Sequence, residues 1–475
     1  MIDRNTLTPL KNLLGPSGYR DDPEELSPWL TDWRGRYTGK AAALLSPATT
    51  AEVSEIVKFA AAHRIVLVPQ GGNSGMVAGA TPDGSGDSLL LSMRRMNKFV
   101  SIDTATGDAI VEAGVILQSF HEAVAPHGYR FPLTLGGKGS ATVGGLISTN
   151  AGGTQVLRHG TMRSLVLGIE AVLPDGSIFD GMAPLKKDNR GYDLKQLLIG
   201  GEGTIGIVTK AVLRTVPALI DRCVVWAGVK SPSDAYRLLQ FLSRRGGTSL
   251  EGFEILPQSA LDAVLRHIHG TRAPLADPHD WHILIEFVQD DPAQPAPMEH
   301  ATELMGAALE IGLVGDVALS ANEAQAEAFW KIRDSISEAE RAEGPALQHD
   351  VSVPVADMAR FIEAETPEIE ARFPGTRVVA FGHLGDGNIH YHVKAPKGMA
   401  ATDWYGEYSD PVSAHVYDRV EAYRGSLSAE HGIGMAKLAE FERLADPARL
   451  AFVRAIKTAL DPLNIMNPGK LVPLA

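Results

Sequence analysis

The chain has 475 residues, more than one ordinary hydrophobic core serves, so two or three domains are expected. Lys and Arg number 44 against 57 Asp and Glu, and the net charge of -13 repels phosphate backbones and argues against a nucleic-acid binder. A lone cysteine, Cys223, rules out an internal disulfide framework, and no apolar run reaches the ~18 residues of a membrane span.

The N-terminal "MIDRNTLTPLKNLL" carries acids and no long apolar stretch, so no signal peptide is expected and the cytoplasm is the default location. "SPATTAEVSEIVKFAAAHRIVLVPQGGNSG" opens with capping-box spacing at Thr49 and Glu52, continues as an amphipathic helix, and passes through a short buried strand, "IVLVP", into a glycine loop. "FVSIDTATGDAIVEAGV" alternates across a turn as a hairpin, and a helix follows from about Leu117 to His127. Gly136 to Gln155 holds seven glycines in twenty residues, a density that no regular element tolerates cheaply. "VLGIEAVLPDGSIFDG" is a second hairpin, turning at Pro174–Gly176, and "LLIGGEGTIGIVTKAVLRTVP" reads as strand, glycine loop, strand. Near Pro217–Cys223 the texture changes to alternating helices and strands. The acidic "SANEAQAEAFWKIRDSISEAERAEG" reads as one long helix, with Phe329, Ile332 and Ile336 on a core face and Arg333 and Ser337 on another. "RVVAFGHLGDGNIHYHV" is a hairpin.

Three loops could cradle phosphate through consecutive backbone N–H groups: Pro69–Ala80, Gly136–Gly153 and Gly200–Gly206. The last contains G-x-G-x-x-G, but the β-branched "IVTKAVLRTVP" behind it reads as a strand, whereas a dinucleotide fingerprint needs a helix there. The second concentration of chemistry is "FGHLGDGNIHYH", Phe381–His392. Strand alternation puts His390 and His392 on one face, and the turn brings His383 toward His390. A metal, a proton-transfer site and a plain polar hairpin all fit this cluster. "SLSAEHGIG" offers Glu430 and His431, which point opposite ways if the segment is extended. Two imidazoles and a carboxylate without thiolate would suit Zn²⁺, Mn²⁺ or Fe²⁺ and leave coordination positions open.

"PQGGNSG", "GGLISTNAGG", "KDNRGYDLKQLLIGGEGTIGIVT" and "MNPGK" resemble, in order and spacing, the FAD-binding half of the vanillyl-alcohol oxidase / para-cresol methylhydroxylase flavoprotein superfamily. "DWRGRYTG" and "FPLTLGGKGSATVGG" resemble its D-2-hydroxyglutarate and D-lactate dehydrogenase branch. The resemblance implies an α+β fold: an FAD-binding domain of two α+β subdomains (1–218), an α+β cap with a central antiparallel sheet (219–455), and a C-terminal segment (456–475) returning to the first domain. It implies FAD, held by Pro69, Gln70, Gly71, Gly72, Asn73, Ser74, Gly75 and Gly79 of the first loop. Pro132, Gly136, Gly144, Gly145, Ser148, Thr149, Asn150, Gly152 and Gly153 would serve from the second, with Gly203, Ile207 and Asn467 as further contacts. Many members attach FAD through a histidine just after the first double glycine. Asn73 stands there, and Cys223 lies outside the loops, so non-covalent FAD is expected.

In that branch the positions matching His383, His390 and Glu430 ligate a divalent metal, and the one matching His431 is the catalytic base. Arg333 would hold a substrate carboxylate and Ser337 would add a hydroxyl contact. The implied reaction takes a D-2-hydroxy acid to its 2-oxo acid, with the C2 hydride passing to flavin N5. Two substrate-pocket positions depart from the branch: Gln348 stands where relatives often carry a lysine, and His392 where some carry asparagine. If that lysine grips a distal carboxylate, its loss weakens the case for a diacid, with Lys394 a substitute nearby. D-2-hydroxyglutarate is the first expectation, with D-lactate, glycolate or another 2-hydroxy acid next. An O₂-using FAD alcohol oxidase is the alternative in the same fold, and a metallohydrolase, which leaves the glycine loops idle, the alternative outside it. An electron-transfer flavoprotein or a quinone-type carrier is the expected electron acceptor, and a homodimer the expected assembly.

Overall fold

The chain folds as two units, the first made of residues up to Gly153, Gly160–Pro217 and everything from Glu430 onward, the second of Thr154–His159 and Ala218–Ala429. The structure is a computed structural model that describes Ile2 and residues 4–474. The chain passes to the second unit at Ala218 and returns at Glu430. The return is fastened locally. The N–H groups of Ile433 and Gly434 are bound by the Glu202 carboxylate, and those of Met435 and Ala436 by the Val77 carbonyl.

In the first unit β1 (Tyr19–Arg20), β2 (Ala43–Leu45), β3 (Val66–Gln70) and β4 (Ser88–Ser92) form a sheet in the order β1-β2-β4-β3, with β2, β3 and β4 parallel. The Thr50–His63 helix links β2 to β3 and buries Val53, Ile56, Val57 and Ala60. Thr49 caps it by accepting the Glu52 N–H at 3.2 Å, while the Glu52 carboxylate accepts from Ala48, one residue earlier than a regular capping box. Pro69 sits in β3, the last strand of the order, where a missing N–H costs no ladder bond. The returning C-terminal chain covers that edge through Leu67 N–H to Ile465 O and Asn467 N–H to Leu67 O, both 2.8 Å.

The second sheet of this unit is antiparallel, order β5-β6-β10-β8-β9, from β5 (Phe99–Ile102), β6 (Asp108–Glu112), β8 (Val166–Val172), β9 (Ile178–Gly181) and β10 (Ile207–Arg214). Short β7 (Tyr129–Arg130) and β11 (Val216–Pro217) pair separately. Both hairpins expected from the sequence are present, and a strand does follow the Gly201–Gly206 loop. Two expectations fail. The glycine-rich Gly136–Gln155 stretch contains a helix, Val143–Ser148, because Val143, Leu146 and Ile147 are buried in this unit's core. The "LLI" before the third glycine loop is the end of a helical turn, Lys195–Leu198, not a strand.

The second unit is built on one seven-stranded, wholly antiparallel sheet, order β15-β12-β14-β13-β17-β18-β16. Its strands are β12 (Asp221–Val229), β13 (Leu250–Pro257), β14 (Trp281–Gln289), β15 (Asp316–Leu319), β16 (Ala346–Ser352), β17 (Arg377–His383) and β18 (Asn388–Lys394). One face packs Trp226, Leu284, Val379 and Phe381 against helices Gln258–His267, Glu323–Asp334 and Ile336–Ala342. The other face carries Tyr391, whose ring meets Phe361 of the Val355–Arg372 helix edge-on at 5.5 Å. The expected single long helix is two, Glu323–Asp334 and Ile336–Ala342, parted only at Ser335, whose ψ of -3° departs from the α value although its N–H still reaches the Lys331 carbonyl at 3.1 Å.

Candidate active site

In the first unit the three glycine loops lie against one another. Pro69 and Gln70 end β3, and the chain then turns through Gly71–Gly75 with Asn73 in the left-handed region (φ 53°). A Cβ on Gly71 would stand 2.2 Å from Thr142 Oγ1, and one on Gly72 1.7 Å from the Ser140 carbonyl, so these two glycines let the first loop seat on the second. Gly75 and Gly136, by contrast, face open space. The N–H groups of Gly72, Asn73, Ser74 and Gly75 find no acceptor among the described residues, which leaves a run of donors suited to an anion. Gly144, Gly145 and Ser148 belong to the Val143–Ser148 helix, where the Ser148 and Thr149 hydroxyls bond back to the Gly144 and Gly145 carbonyls. Asn150 accepts from Thr161 and Arg163, Gly152 and Gly153 follow, and Pro132 is buried. Gly203 packs over Pro69, Ile207 begins β10, and Asn467 donates to the carbonyls of Gly79 and Glu202. Gln70 Oε1 and Thr142 Oγ1 in the first two loops, and Asn467 Oδ1 beside the third, are buried without a hydrogen-bond partner among the described residues, which suits them to meet a bound group.

In the second unit the sheet face under the Glu323–Asp334 and Ile336–Ala342 helices gathers the chemistry. Directly opposed residues of an antiparallel ladder share a face. The register sets Asp350 and Phe381 against His390, Gln348 and Val379 against His392, and Glu254 against His383. The rings of His383 and His390 are 5.5 Å apart and those of His390 and His392 6.5 Å. Ligand nitrogens of His383 and His390 come within 4.8 Å of each other. Buried Glu254 is bidentate: one oxygen takes His383 Nδ1 at 2.6 Å, the other Arg333 Nε at 2.8 Å. Its burial alone would raise the carboxyl pKa, but the His383 and Arg333 charges hold it below the usual carboxylate range. The bond from Glu254 at Nδ1 fixes the orientation of the His383 ring. His390 makes no hydrogen bond among the described residues, and burial, then the Arg333 and His383 charges, push its pKa well down, so its imidazole is neutral.

Arg333 is buried rather than solvated, its guanidinium 5.2 Å over the Phe381 ring. With Nε on Glu254, its two terminal nitrogens have no partner among the described residues. His392 Nδ1 is bound by the Glu340 carboxylate, and Lys394 Nζ by the Glu340 carbonyl at 2.7 Å. Ser337 lies one helical turn before Glu340. Glu430 and His431 lie in the first unit, in a bend and not an extended strand, and their ligand atoms come within 4.8 Å of each other, so they do not point opposite ways. Glu254 and Glu340 escaped the sequence pattern, although an acid inside the fully buried "LEGFEILP" strand is itself a signal that a buried cation waits for it. Among the described residues no helix is long and apolar enough to cross a membrane.

Residues 41–181 match the "FAD binding domain" family, and residues 220–471 match "FAD linked oxidases, C-terminal domain". The chain is 36% identical to the mitochondrial D-2-hydroxyglutarate dehydrogenase of Arabidopsis thaliana over 99% of its length and 82% of the relative's. It is 34% identical to D-2-hydroxyglutarate dehydrogenase of Xanthomonas citri pv. viticola over 95% and 93%. Among solved structures, p-cresol methylhydroxylase with substrate bound superposes with a TM-score of 0.73 at 16% identity, covering 98% of this chain and 96% of that one, which shows the shared fold. The chain therefore shares the fold of p-cresol methylhydroxylase, belongs to the FAD-linked oxidase family together with these D-2-hydroxyglutarate dehydrogenases, and is an FAD-dependent oxidoreductase.

Proposed function

We propose that the protein oxidises a D-2-hydroxy acid, D-2-hydroxyglutarate first, to the 2-oxo acid, using non-covalent FAD and a divalent metal, Zn²⁺ before Mn²⁺ or Fe²⁺. The observation that carries this is the Glu254 bridge: one buried carboxylate orients both a metal-type histidine and an arginine whose terminal nitrogens stay available. A guanidinium fixed at Nε presents a flat pair of donors that fits a carboxylate. When bound, FAD supplies the hydride acceptor, and the metal supplies the positive charge that lowers the hydroxyl pKa.

The residues do the rest. The unpaired amides of Gly72–Gly75 hold the FAD pyrophosphate, and Gln70, Thr142 and Asn467 accept from its polar groups. His383, neutral His390 and Glu430 are the proposed ligand set. Ala429, the residue before Glu430, donates its N–H to the Asp350 carbonyl at 3.4 Å, opposite His390 in the ladder. Arg333 and Ser337 hold the substrate C1 carboxylate, which orients the C2 hydrogen. His431 takes the hydroxyl proton. His392 and Gln348 line the tail of the pocket.

The names of the curated relatives support the substrate class, and Gln348 keeps D-lactate as the second substrate. Electrons then leave to an electron-transfer flavoprotein or a quinone-type carrier. The test is anaerobic mixing with D-2-hydroxyglutarate, D-lactate and D-malate and their L forms, following flavin absorbance near ~450 nm with and without chelator. Bleaching by a D acid that chelation stops and Zn²⁺ restores is expected, as is its loss in His431→Ala with FAD retained. Bleaching indifferent to chelation would remove the metal, and peroxide formation in air would indicate the oxidase alternative.

A further inference from the structure

Glu202 belongs to the third glycine loop, and no role follows for it from the flavin or substrate sites above. Its backbone is in the left-handed region (φ 47°), which non-glycine residues seldom occupy. The conformation is pinned from both sides: Glu202 N–H donates to Ser148 O at 2.9 Å, and Asn467 Nδ2 donates to Glu202 O at 2.8 Å. The side chain, 7% exposed, is thereby aimed at the turn that follows His431. Its Oε1 accepts from Ile433 N–H and its Oε2 from Gly434 N–H, each at 2.7 Å. A carboxylate on two successive backbone N–H groups is a charge-assisted fork, stronger and more directional than neutral bonds.

The turn itself is shaped to this fork. Gly432 (φ 79°) has no Cβ, and one there would stand 2.7 Å from Glu202 Oε1. Gly434 (φ 51°) would place a Cβ 2.2 Å from the Val77 carbonyl, which accepts from Met435 and Ala436. The segment just after His431 is thus fastened to the first glycine loop at Val77 and to the third at Glu202.

We propose that Glu202 is a positioning residue, whose carboxylate clamps the Ile433–Gly434 backbone and so holds His431 at a fixed place relative to the loops that cradle FAD. The proposal rests on His431 as the base. Lys437 and Lys470 are the charged groups that face the clamp, and both favour its ionised form, while burial opposes it and brings the carboxyl pKa up to about 7.

The test uses the full FAD-loaded protein and compares Glu202→Gln, which keeps one acceptor, with Glu202→Asp, which keeps the charge on a shorter arm. Expected for Glu202→Gln are full FAD content, KM for the D acid within about twofold, and kcat lower by roughly 10- to 100-fold. Faster amide hydrogen exchange at Ile433 and Gly434 should accompany the loss, and Glu202→Asp should recover part of kcat. A merely structural carboxylate would lower melting temperature and FAD content together. That result, or wild-type kcat with the two amides exchanging freely, overturns the proposal. Normal turnover in His431→Ala is a separate failure: it removes the base assignment, whatever the exchange at Ile433 and Gly434 shows.

Discussion

At the scale of single residues, Glu254 organises the second unit's site by giving each of its oxygens to a different cation-type group. Arg333→Lys cannot reproduce that arrangement, because an ammonium that pairs with Glu254 has no rigid second pair of donors to offer. The loss of a charged hydrogen-bond pair is worth about 1.5–3 kcal/mol, so kcat/KM should fall roughly 10- to 150-fold with FAD content unchanged. Steady-state kinetics with the D acid identified by bleaching checks this, and an unchanged kcat/KM would place the carboxylate elsewhere. His282 carries a second residue-scale prediction. Trp226 Nε1 donates to its Nδ1 at 3.0 Å and its Nε2 meets Gln258 Oε1 at 2.8 Å, so the neutral ring is fully satisfied. Burial, with His279 nearby, takes its pKa from 6.5 down to about 4. The unfolded chain therefore binds a proton that the folded one refuses, and stability is full above pH 6.5 and is lost as pH falls toward 4. Between pH 7 and pH 5 this single group should cost ~2 kcal/mol, and urea melts of His282→Gln should show a correspondingly flatter pH dependence. The histidines were legible as a cluster, because three fall within twelve residues; Glu254 was not, because its partners lie more than seventy residues away in the chain.

At the scale of elements, periodicity served well wherever an element was long and one-sided. The helix at Thr50–His63 and the β17–β18 hairpin stand where apolar spacing and turn residues put them. Val412, Val416 and Val420 are buried as their spacing of four requires. The misses are short pieces, Val143–Ser148 and Lys195–Leu198, which cannot be stable on their own propensity and form because the core receives them. The hairpin offers the prediction at this scale. Gly382 has φ 152°, and a Cβ there would stand 2.4 Å from the Asn388 carbonyl across the strand pair. Gly382→Ala must push β17 off β18, at a cost of about 1–3 kcal/mol, and shift His383 relative to His390. A lowered urea midpoint together with loss of chelator-sensitive bleaching is expected; a midpoint equal to wild type would mean that the strands adjust without displacing the histidines.

At the scale of the whole molecule, the C-terminal chain completes the first unit. Lys457, buried in the Pro447–Leu460 helix, donates to Asp461 Oδ2 at 2.5 Å, to Thr204 O at 2.8 Å and to Met466 O at 2.7 Å. One ammonium thus ties the last helix to the third glycine loop and to the segment that covers β3. Lys457→Met leaves buried Asp461 without its cation, and should cost about 3–5 kcal/mol and weaken FAD retention, read by thermal melts and by flavin released on gel filtration. Melting behaviour equal to wild type would show that Asp461, which also accepts from Ile465 and Met466, is satisfied without it.

What the amino-acid sequence determined by itself was whatever depends on neighbours along the chain: the hairpins, the amphipathic helices, the three glycine loops, the histidine pair across one turn, and through its motifs the flavoprotein family. Tertiary structure alone decided the pairings of distant groups. It brought Glu254 to His383 and Arg333, Glu202 to the turn after His431, and the last helix to the third glycine loop. The physical reason is that a buried charge must find its partner wherever packing delivers one, and packing, unlike periodicity, leaves no local trace.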